Sequence, residues 1–455
     1  MELRGKRFLV AGAGLSGIAA AGLLATHKYQ VLLYDGNQDL DEAEIRKKSA
    51  LLQEVEIILG DLPEDKLAGY DIAVVSPGIP TDSPAVVAME RAGLEIWGEI
   101  ELASVFEQGR VLAVTGTNGK TTTTSLLGEV MGRQYQDVKV VGNIGVPYTS
   151  LAQDTTEYSV TVAEISSFQL ETVHTFRPQV SAILNITPDH LNRHHTMQNY
   201  QAAKERIAKN QGKGQFCILN YEDPSLREFA GRIQAKPVFF SSANKLEEGM
   251  YLEGDRIIWA WDKKTTVVCS TKDLQLIGIH NYENAMAAAA MALVFGVPLE
   301  TVQKALPSFK AVEHRIEYVT SKRGVRFYND SKGTNPDAAI QAIRAMEWPT
   351  LLIGGGYDKA SEFDAWIQAF DGKVKKLALL GATSEKIRES ALRMGYPEED
   401  IILTKSIQEA VAVCYQNAES GDAVLLSPAC ASWGMFDNYM QRGEVFKEAV
   451  WSLKE

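Results

Sequence analysis

At 455 residues, 45% hydrophobic and 23% charged, the chain is sized for about three globular domains and not for one core. Its net charge of −12 excludes a nucleic-acid or anionic-membrane surface, so anionic ligands must be met by local groups of Lys, Arg and backbone N–H. Cys217, Cys269, Cys414 and Cys430 lie far apart with no C-x-x-C pair, which fits reduced core thiols of a cytoplasmic protein better than zinc ligands or disulfides.

Lys6-Arg7 precedes Phe8–Ala25, an uncharged run that imitates a signal peptide or a short membrane span. Gly12, Gly14 and Gly17 interrupt it as G-x-G-x-x-G, and the strand Val31–Tyr34 follows, ending in Asp35. This is a βαβ fingerprint, Rossmann-like, in which Gly14, Leu15, Ser16 and Gly17 offer a helix N-terminus to a diphosphate and the acidic residue serves a ribose or base edge. Alone it favours NAD or FAD, yet the motif fixes only a diphosphate-bearing ligand, and glycines serving strand–helix packing alone are the other reading. Ile72–Val75 is a further strand, and Ser76–Pro80 at its C-terminal end either borders the same pocket or is a rigid turn.

Val111–Thr124 (VLAVTGTNGKTTTT) reads as strand, tight turn and helix. Gly116, Thr117, Asn118, Gly119, Lys120, Thr121 and Thr122 form a phosphate cradle: backbone N–H groups face the anion, Lys120 adds a charge, and the Thr121 hydroxyl suits Mg²⁺. Val114 stands where G-x-x-x-x-G-K-[ST] has its first glycine, so the loop is a shorter variant. Val138–Val141 is a strand leading into Gly142–Gly145, and Tyr158–Val162 leads to Glu164. A carboxylate at that strand end occupies the place of a nucleotide's metal ligand. Val180–Asn185 precedes the polar run Thr187–His194, in which His190 is suited to a metal or a reactive group while His194 and His195 read as solvated loop residues. A helix begins at Tyr200, and on it Lys204 reads as an exposed lysine. Asn281 and Asn284 share one helix face before an alanine-rich run; they could read an adenine edge or serve as helix-start polar groups. Leu306-Pro307 is a candidate boundary. In the last segment, strand and helix patterns carry three clusters, His314-Arg315, Asn329–Asn335 and Gly354–Lys359, followed by Ser427–Trp433.

Taken in order, GTNGKT (116–121), EISSFQ (164–169), Asp189-His190, HNYEN (280–284), His314-Arg315 and NDSKGTN (329–335) resemble the Mur ligase family across nearly the whole chain. NDSKGTNP, GGGYDK and LSPACASWGMFDNYMQRG are similar to its D-glutamate-adding branch, and the D-N-P-R motif of the diaminopimelate- or lysine-adding branch is absent. The resemblance implies an α/β chain of three domains. These are an N-terminal Rossmann-like domain for a UDP-substrate (1–97), a central P-loop-type ATP-binding domain (98–306) and a C-terminal Rossmann-like domain for an amino acid (307–455).

It also implies the chemistry: ATP phosphorylates the carboxylate of UDP-N-acetylmuramoyl-L-alanine, and the amine of D-glutamate attacks the acyl phosphate. Lys120 would hold the β/γ-phosphates. Two Mg²⁺ ions would be held by Thr121 and Glu164 and by His190 and a carbamylated Lys204. Asn281, Asn284, Arg315 and Asp330 would hold the rest of ATP, between the second and third domains. Gly14–Gly17 with Asp35, Gly36 and Asn37 would hold UDP; Gly78, Asn143, Ser166 and Gln169 the muramoyl arm; Lys332, Thr334, Lys359, Ser432 and Tyr439 the amino acid. Asn192, Gly434 and Tyr439 depart from the family pattern, the first beside the metals and the others at the amino-acid pocket. The resemblance further implies a cytoplasmic monomer that binds neither nucleic acid nor membrane. Its alternatives are a neighbouring ligase for another amino acid, a dinucleotide-dependent oxidoreductase and a catalytically silent nucleotide-binding module.

Overall fold

A computed structural model describes residues 3–310 and 312–454. The first sheet holds β1 (Arg7–Ala11), β2 (Gln30–Asp35), β3 (Glu56–Leu59), β4 (Ile72–Val75) and β5 (Glu95–Gly98) in the order β3-β2-β1-β4-β5, all parallel. Phe8, Leu9, Val10, Leu32 and Leu33 are fully or almost fully buried on both sheet faces, as a parallel sheet covered on both sides demands. The strand order reverses between β1 and β4, the crevice where such sheets take ligands. The run that imitates a membrane span is thereby β1 and the helix Leu15–Thr26. Among the described residues no helix is long and apolar enough to cross a membrane.

The second sheet comprises β6 (Arg110–Thr115), β7 (Val138–Gly142), β8 (Val160–Glu164), β9 (Val180–Ile183), β10 (Phe216–Asn220), β11 (Lys236–Ser241), β12 (Gly249–Glu253), β13 (Arg256–Trp261) and β14 (Lys264–Ser270). Its order is β14-β13-β12-β11-β10-β9-β6-β8-β7; β13 pairs antiparallel with both β12 and β14 at the edge, and the other pairs are parallel. The phosphate-loop strand β6 thus lies between β9 and β8. Four buried threonines, Thr121–Thr124, open the helix Lys120–Gly132 against this sheet. The third sheet, β15 (Glu317–Lys322), β16 (Val325–Asn329), β17 (Thr350–Gly354), β18 (Val374–Leu379), β19 (Ile401–Leu403) and β20 (Ala423–Leu426), runs β15-β16-β20-β17-β18-β19, with β15 alone antiparallel. It is packed on both faces by separate apolar clusters, one around Trp366 and Leu352, the other around Phe327 and Val411.

The chain divides into two compact units: 1–271 with 283–307, holding the first two sheets, and 272–282 with 308–455, holding the third. The helix Ile279–Phe295 contributes its first residues to one unit and the remainder to the other. Leu299–Ser308 is a helix that runs through Pro307, and Trp97 is completely buried in β5.

Candidate active site

In the first sheet, the helix Leu15–Thr26 starts at Gly14 with no side-chain cap and no acidic residue in its first turn. Its first N–H groups are therefore open to an anion. A Cβ on Gly17 would stand 1.7 Å from the Gly12 carbonyl oxygen, so glycine is what lets the helix approach β1 this closely. The Asp35 carboxylate accepts from Ala13 N–H at 2.7 Å and from Asn37 N–H at 2.9 Å, joining the ends of β1 and β2 around the glycine turn. Gly36 and Asn37 are exposed beside it, Leu15 is 76% exposed, and Ser16 is half-buried. Across the switch point, Ser76 N–H donates to Ala11 and the exposed Gly78 sits at the tip of its turn.

The phosphate loop is built on the second sheet. Thr117 N–H donates to the Asn185 carbonyl, Asn118 N–H to Asn185 Oδ1 at 2.8 Å, and Asn185 Nδ2 back to the Asn118 carbonyl at 3.1 Å. Gly119 caps the helix at φ +86°. Lys120 Nζ donates to the carbonyls of Gly116 and Thr117, both at 2.8 Å. Lys204 Nζ reaches the same Gly116 carbonyl at 2.8 Å, although the two lysines lie far apart in sequence. Thr123 Oγ1 donates to Asn284 Oδ1 at 3.4 Å, which brings Asn284 to the loop's helix. Thr121 and Thr122 are buried at that helix's start.

Lys204 corrects the reading of an exposed helix lysine. On the helix Met197–Glu205 it shares the inward face with Tyr200 and Ala203, at spacings of four and one, and is 1% exposed. Burial, reinforced by the Lys120 charge, drives its ammonium well below the ordinary lysine range, and its Nζ lies 4.6 Å from the centre of the Tyr200 ring. The i, i+3, i+4 stripe of Tyr200, Ala203 and Lys204 was the available signal. Tyr200 itself was missed: its hydroxyl lies 3.0 Å from Thr117 Oγ1 of the phosphate loop. His194, read as a solvated loop residue, is also corrected. It is 5% exposed in the short helix Leu191–His194, with Nε2 2.9 Å from Ser167 Oγ and Nδ1 3.3 Å from Glu171. His195 is exposed, as expected.

Glu164 ends β8 opposite Val114 of the phosphate-loop strand and is 1% exposed. Asn143 Nδ2 donates to its Oε1 at 2.7 Å, while its Oε2 is buried with no hydrogen-bond partner. A buried carboxylate oxygen left without a donor is costly unless a cation meets it, so the donor set fits Mg²⁺. His190 adopts φ +53°, a left-handed conformation uncommon for a non-glycine residue, and its ring lies edge-on to Phe168 at 4.8 Å. Ser166 and Gln169 form a reciprocal capping box at the helix Ser167–Leu170, and Gln169 Nε2 donates to buried Glu99 at 3.4 Å.

The remaining residues belong to the second unit. Asn281 lies there, donating to the Ile277 carbonyl at 2.8 Å. Asp330 is buried, accepts from Ser427 Oγ at 2.7 Å, and is pushed up to about 7 by burial, against the pull of Arg315 and Arg442. Arg315 is half-buried, with Nε lacking a hydrogen-bond partner. Arg442, another residue missed in sequence, is buried and donates to the carbonyls of Ser331 at 2.7 Å and Cys430 at 3.0 Å. Lys332 Nζ is 5.1 Å from the Tyr439 ring, and the Tyr439 carbonyl accepts from Ser331 Oγ. Thr334 follows in the same loop, half-buried, its N–H donating to the Lys332 carbonyl. Lys359 Nζ is 5.1 Å from the Trp433 ring, next to buried Ser432.

These sites can be set against known proteins. Residues 6–98 match the Mur ligase MurD-like N-terminal domain, 114–292 the Mur ligase middle domain, and 314–430 the Mur ligase glutamate ligase domain. The UDP-N-acetylmuramoylalanine--D-glutamate ligase of Lachnoclostridium phytofermentans is 55% identical over all 455 residues, each chain covered completely, and that of Thermoanaerobacter pseudethanolicus is 45% identical with the same coverage. The solved UDP-N-acetylmuramate-alanine ligase of Thermotoga maritima shares the fold at 18% identity and a TM-score of 0.61, over 99% of this chain and 100% of that one. The Thermotoga maritima MurF ligase in complex with ADP aligns at 17% identity and 0.59, over 99% of each. With three consecutive domain matches and relatives this similar over their full length, the chain belongs to the Mur ligase family.

Proposed function

We propose that the chain joins D-glutamate to UDP-N-acetylmuramoyl-L-alanine at the expense of ATP, a step of peptidoglycan precursor synthesis in the cytoplasm. The full-length relatives carry that name, and four buried thiols that form no disulfide suit a reducing compartment. One observation carries the chemistry: the partnerless Glu164 oxygen at a strand end beside the phosphate-loop strand. A dinucleotide oxidoreductase would leave that carboxylate and the phosphate loop without a task.

A carboxylate and an amine do not condense at neutral pH, because hydroxide is a poor leaving group. In the proposed reaction a carboxylate oxygen of the acceptor attacks the γ-phosphorus and ADP leaves. The neutral amine of D-glutamate then adds to the acyl carbon, and phosphate departs as the nitrogen loses its proton. Phosphoryl transfer asks for positioning and charge neutralisation. Lys120 moves from its two loop carbonyls to the β/γ-phosphates, with Gly116–Thr122 supplying N–H donors. Thr121 and Glu164 hold one Mg²⁺, and His190 with Lys204 a second; the ions, when bound, neutralise charge on the transferring phosphoryl group. Lys204 fits a carbamate because burial favours its neutral amine, the form whose lone pair bonds to carbon dioxide with loss of one proton. Asn281, Asn284, Arg315 and Asp330 serve the remainder of ATP. Gly14–Gly17 and Asp35–Asn37 hold UDP, and Gly78, Asn143, Ser166 and Gln169 the muramoyl arm. Lys332 and Lys359 meet the two carboxylates of D-glutamate, with Thr334, Ser432 and the Tyr439 backbone beside them.

The test is phosphate release with ATP, Mg²⁺ and UDP-N-acetylmuramoyl-L-alanine across a panel of D- and L-amino acids. D-Glutamate alone should support turnover, and turnover with another amino acid but not D-glutamate would overturn the reading. In ¹³C-bicarbonate, a carbamate carbon signal should appear and vanish in Lys204→Ala; its absence from the active parent refutes the carbamate.

A further inference from the structure

Arg193 has a place in none of these assignments, yet its guanidinium is committed to four partners. Its Nη2 donates to Glu171 Oε2 at 2.7 Å and to the Ile79 carbonyl at 3.0 Å, its Nη1 donates to the Pro77 carbonyl at 3.3 Å, and its Cζ lies 4.6 Å from the centre of the Phe168 ring. Its side chain is 10% exposed and that of Glu171 14%. Pro77 and Ile79 flank Gly78 in the turn of the first sheet. Phe168 stands edge-on to His190, three residues before Arg193, and stacks on His194 at 5.4 Å.

His190 opens its short helix in a left-handed conformation, and such backbone persists only where its surroundings hold it. Glu171 supplies one anchor, since its second oxygen lies 3.3 Å from His194 Nδ1. Arg193 holds the other oxygen, so one carboxylate ties both side chains together. Beyond His194, ring contact with Tyr200 at 5.2 Å and the Tyr200 hydroxyl lead on to Thr117 of the phosphate loop.

We infer that Arg193 is a positioning residue: it locks the loop carrying His190 to the turn carrying Gly78, so that the acceptor-holding turn and the metal-holding loop move as one piece. The roles of Gly78 and His190 rest on the function proposed above; the mechanical lock does not. The exposed His195–Asp82 pair, 3.3 Å apart, bridges the same two segments but is solvated and adds little.

The experiment compares the parent with Arg193→Met, Arg193→Lys, Glu171→Gln and, as control, His195→Ala. Backbone hydrogen exchange should rise together in segments 76–80 and 189–195 in Arg193→Met and stay at parent levels in His195→Ala. At saturating substrates kcat should fall at least tenfold in Arg193→Met while ATP affinity stays within threefold, Arg193→Lys recovering part of the loss. Exchange that rises in only one segment overturns the lock, as does a folded Arg193→Met with kcat within twofold of the parent. If Arg193→Met does not fold, Glu171→Gln decides by the same two readouts. A parent inactive with D-glutamate refutes the proposed substrate, while the exchange data still judge the lock.

Discussion

Buried charge at single residues is where this molecule concentrates its costs. Asp330 sits with Ser427 on one oxygen and Arg315 and Arg442 nearby, yet burial outweighs their pull and holds its carboxyl neutral up to about 7. A carboxyl raised in the folded state binds more protons there than in the unfolded chain, so its contribution is complete below about pH 4 and is lost as pH rises towards 7. If the whole displacement is expressed, the loss is on the order of 4 kcal/mol. Asp330→Asn removes the titrating group. The urea midpoint of the ligand-free variant should therefore gain on the parent's as pH rises from 4.5 to 8, while activity is lost. A variant whose midpoint falls with pH as steeply as the parent's would show that Asp330 does not titrate in this range. Lys204 is the opposite case, a base whose charged form burial disfavours, and it gains a hydrogen bond to Gly116 that an exposed lysine would not need.

At the scale of elements, the short phosphate loop works because its helix begins on a glycine in the left-handed region. A Cβ on Gly119 would meet Asn284 Oδ1 at 2.1 Å and Leu184 at 3.2 Å, in a conformation that costs an L-residue roughly 1–2 kcal/mol. Gly119→Ala should weaken ATP binding at least tenfold by titration calorimetry and leave UDP-substrate binding within twofold, because the Gly14 helix belongs to another sheet. Equal loss of both ligands would mean a general unfolding instead of a local one. Elements of this kind were legible in sequence: GTNGKT and GAGLSG each hold strand, turn and helix within contiguous residues, so their geometry follows from local chemistry. Glu164 was legible for the same reason, as the end of a strand pattern. Lys204 and His194 were not, because their exposure depends on which helix face meets the sheet. Arg193 was less legible still, with partners 22 and 114 residues away.

Across the whole molecule, the apolar cores are distributed between two units, and the cysteines report on each. Cys217 and Cys269 lie in the first, Cys414 and Cys430 in the second, and all four are buried and outside any disulfide. Burial pushes the thiols of Cys217 and Cys414 up to about 12 and that of Cys430 to about 11, so exclusion from solvent and a low thiolate fraction act in the same direction. The native protein should therefore resist alkylation at pH 8. Cys217 packs with the second sheet among Ile183 and Leu219, whereas Cys414 packs with Phe327 and Val411 against the third, so unfolding of one unit frees its own pair of thiols and not the other's. Chains built of separate cores need not unfold in one step. Pulsed alkylation along a urea series, read by mass spectrometry, should give one midpoint for Cys217 and Cys269 and a different one for Cys414 and Cys430. The helix Ile279–Phe295 is the counterweight, because it belongs to both units and couples them through its backbone. A single shared midpoint for all four thiols would mean that this coupling exceeds the difference between the cores, and that the two units unfold as one.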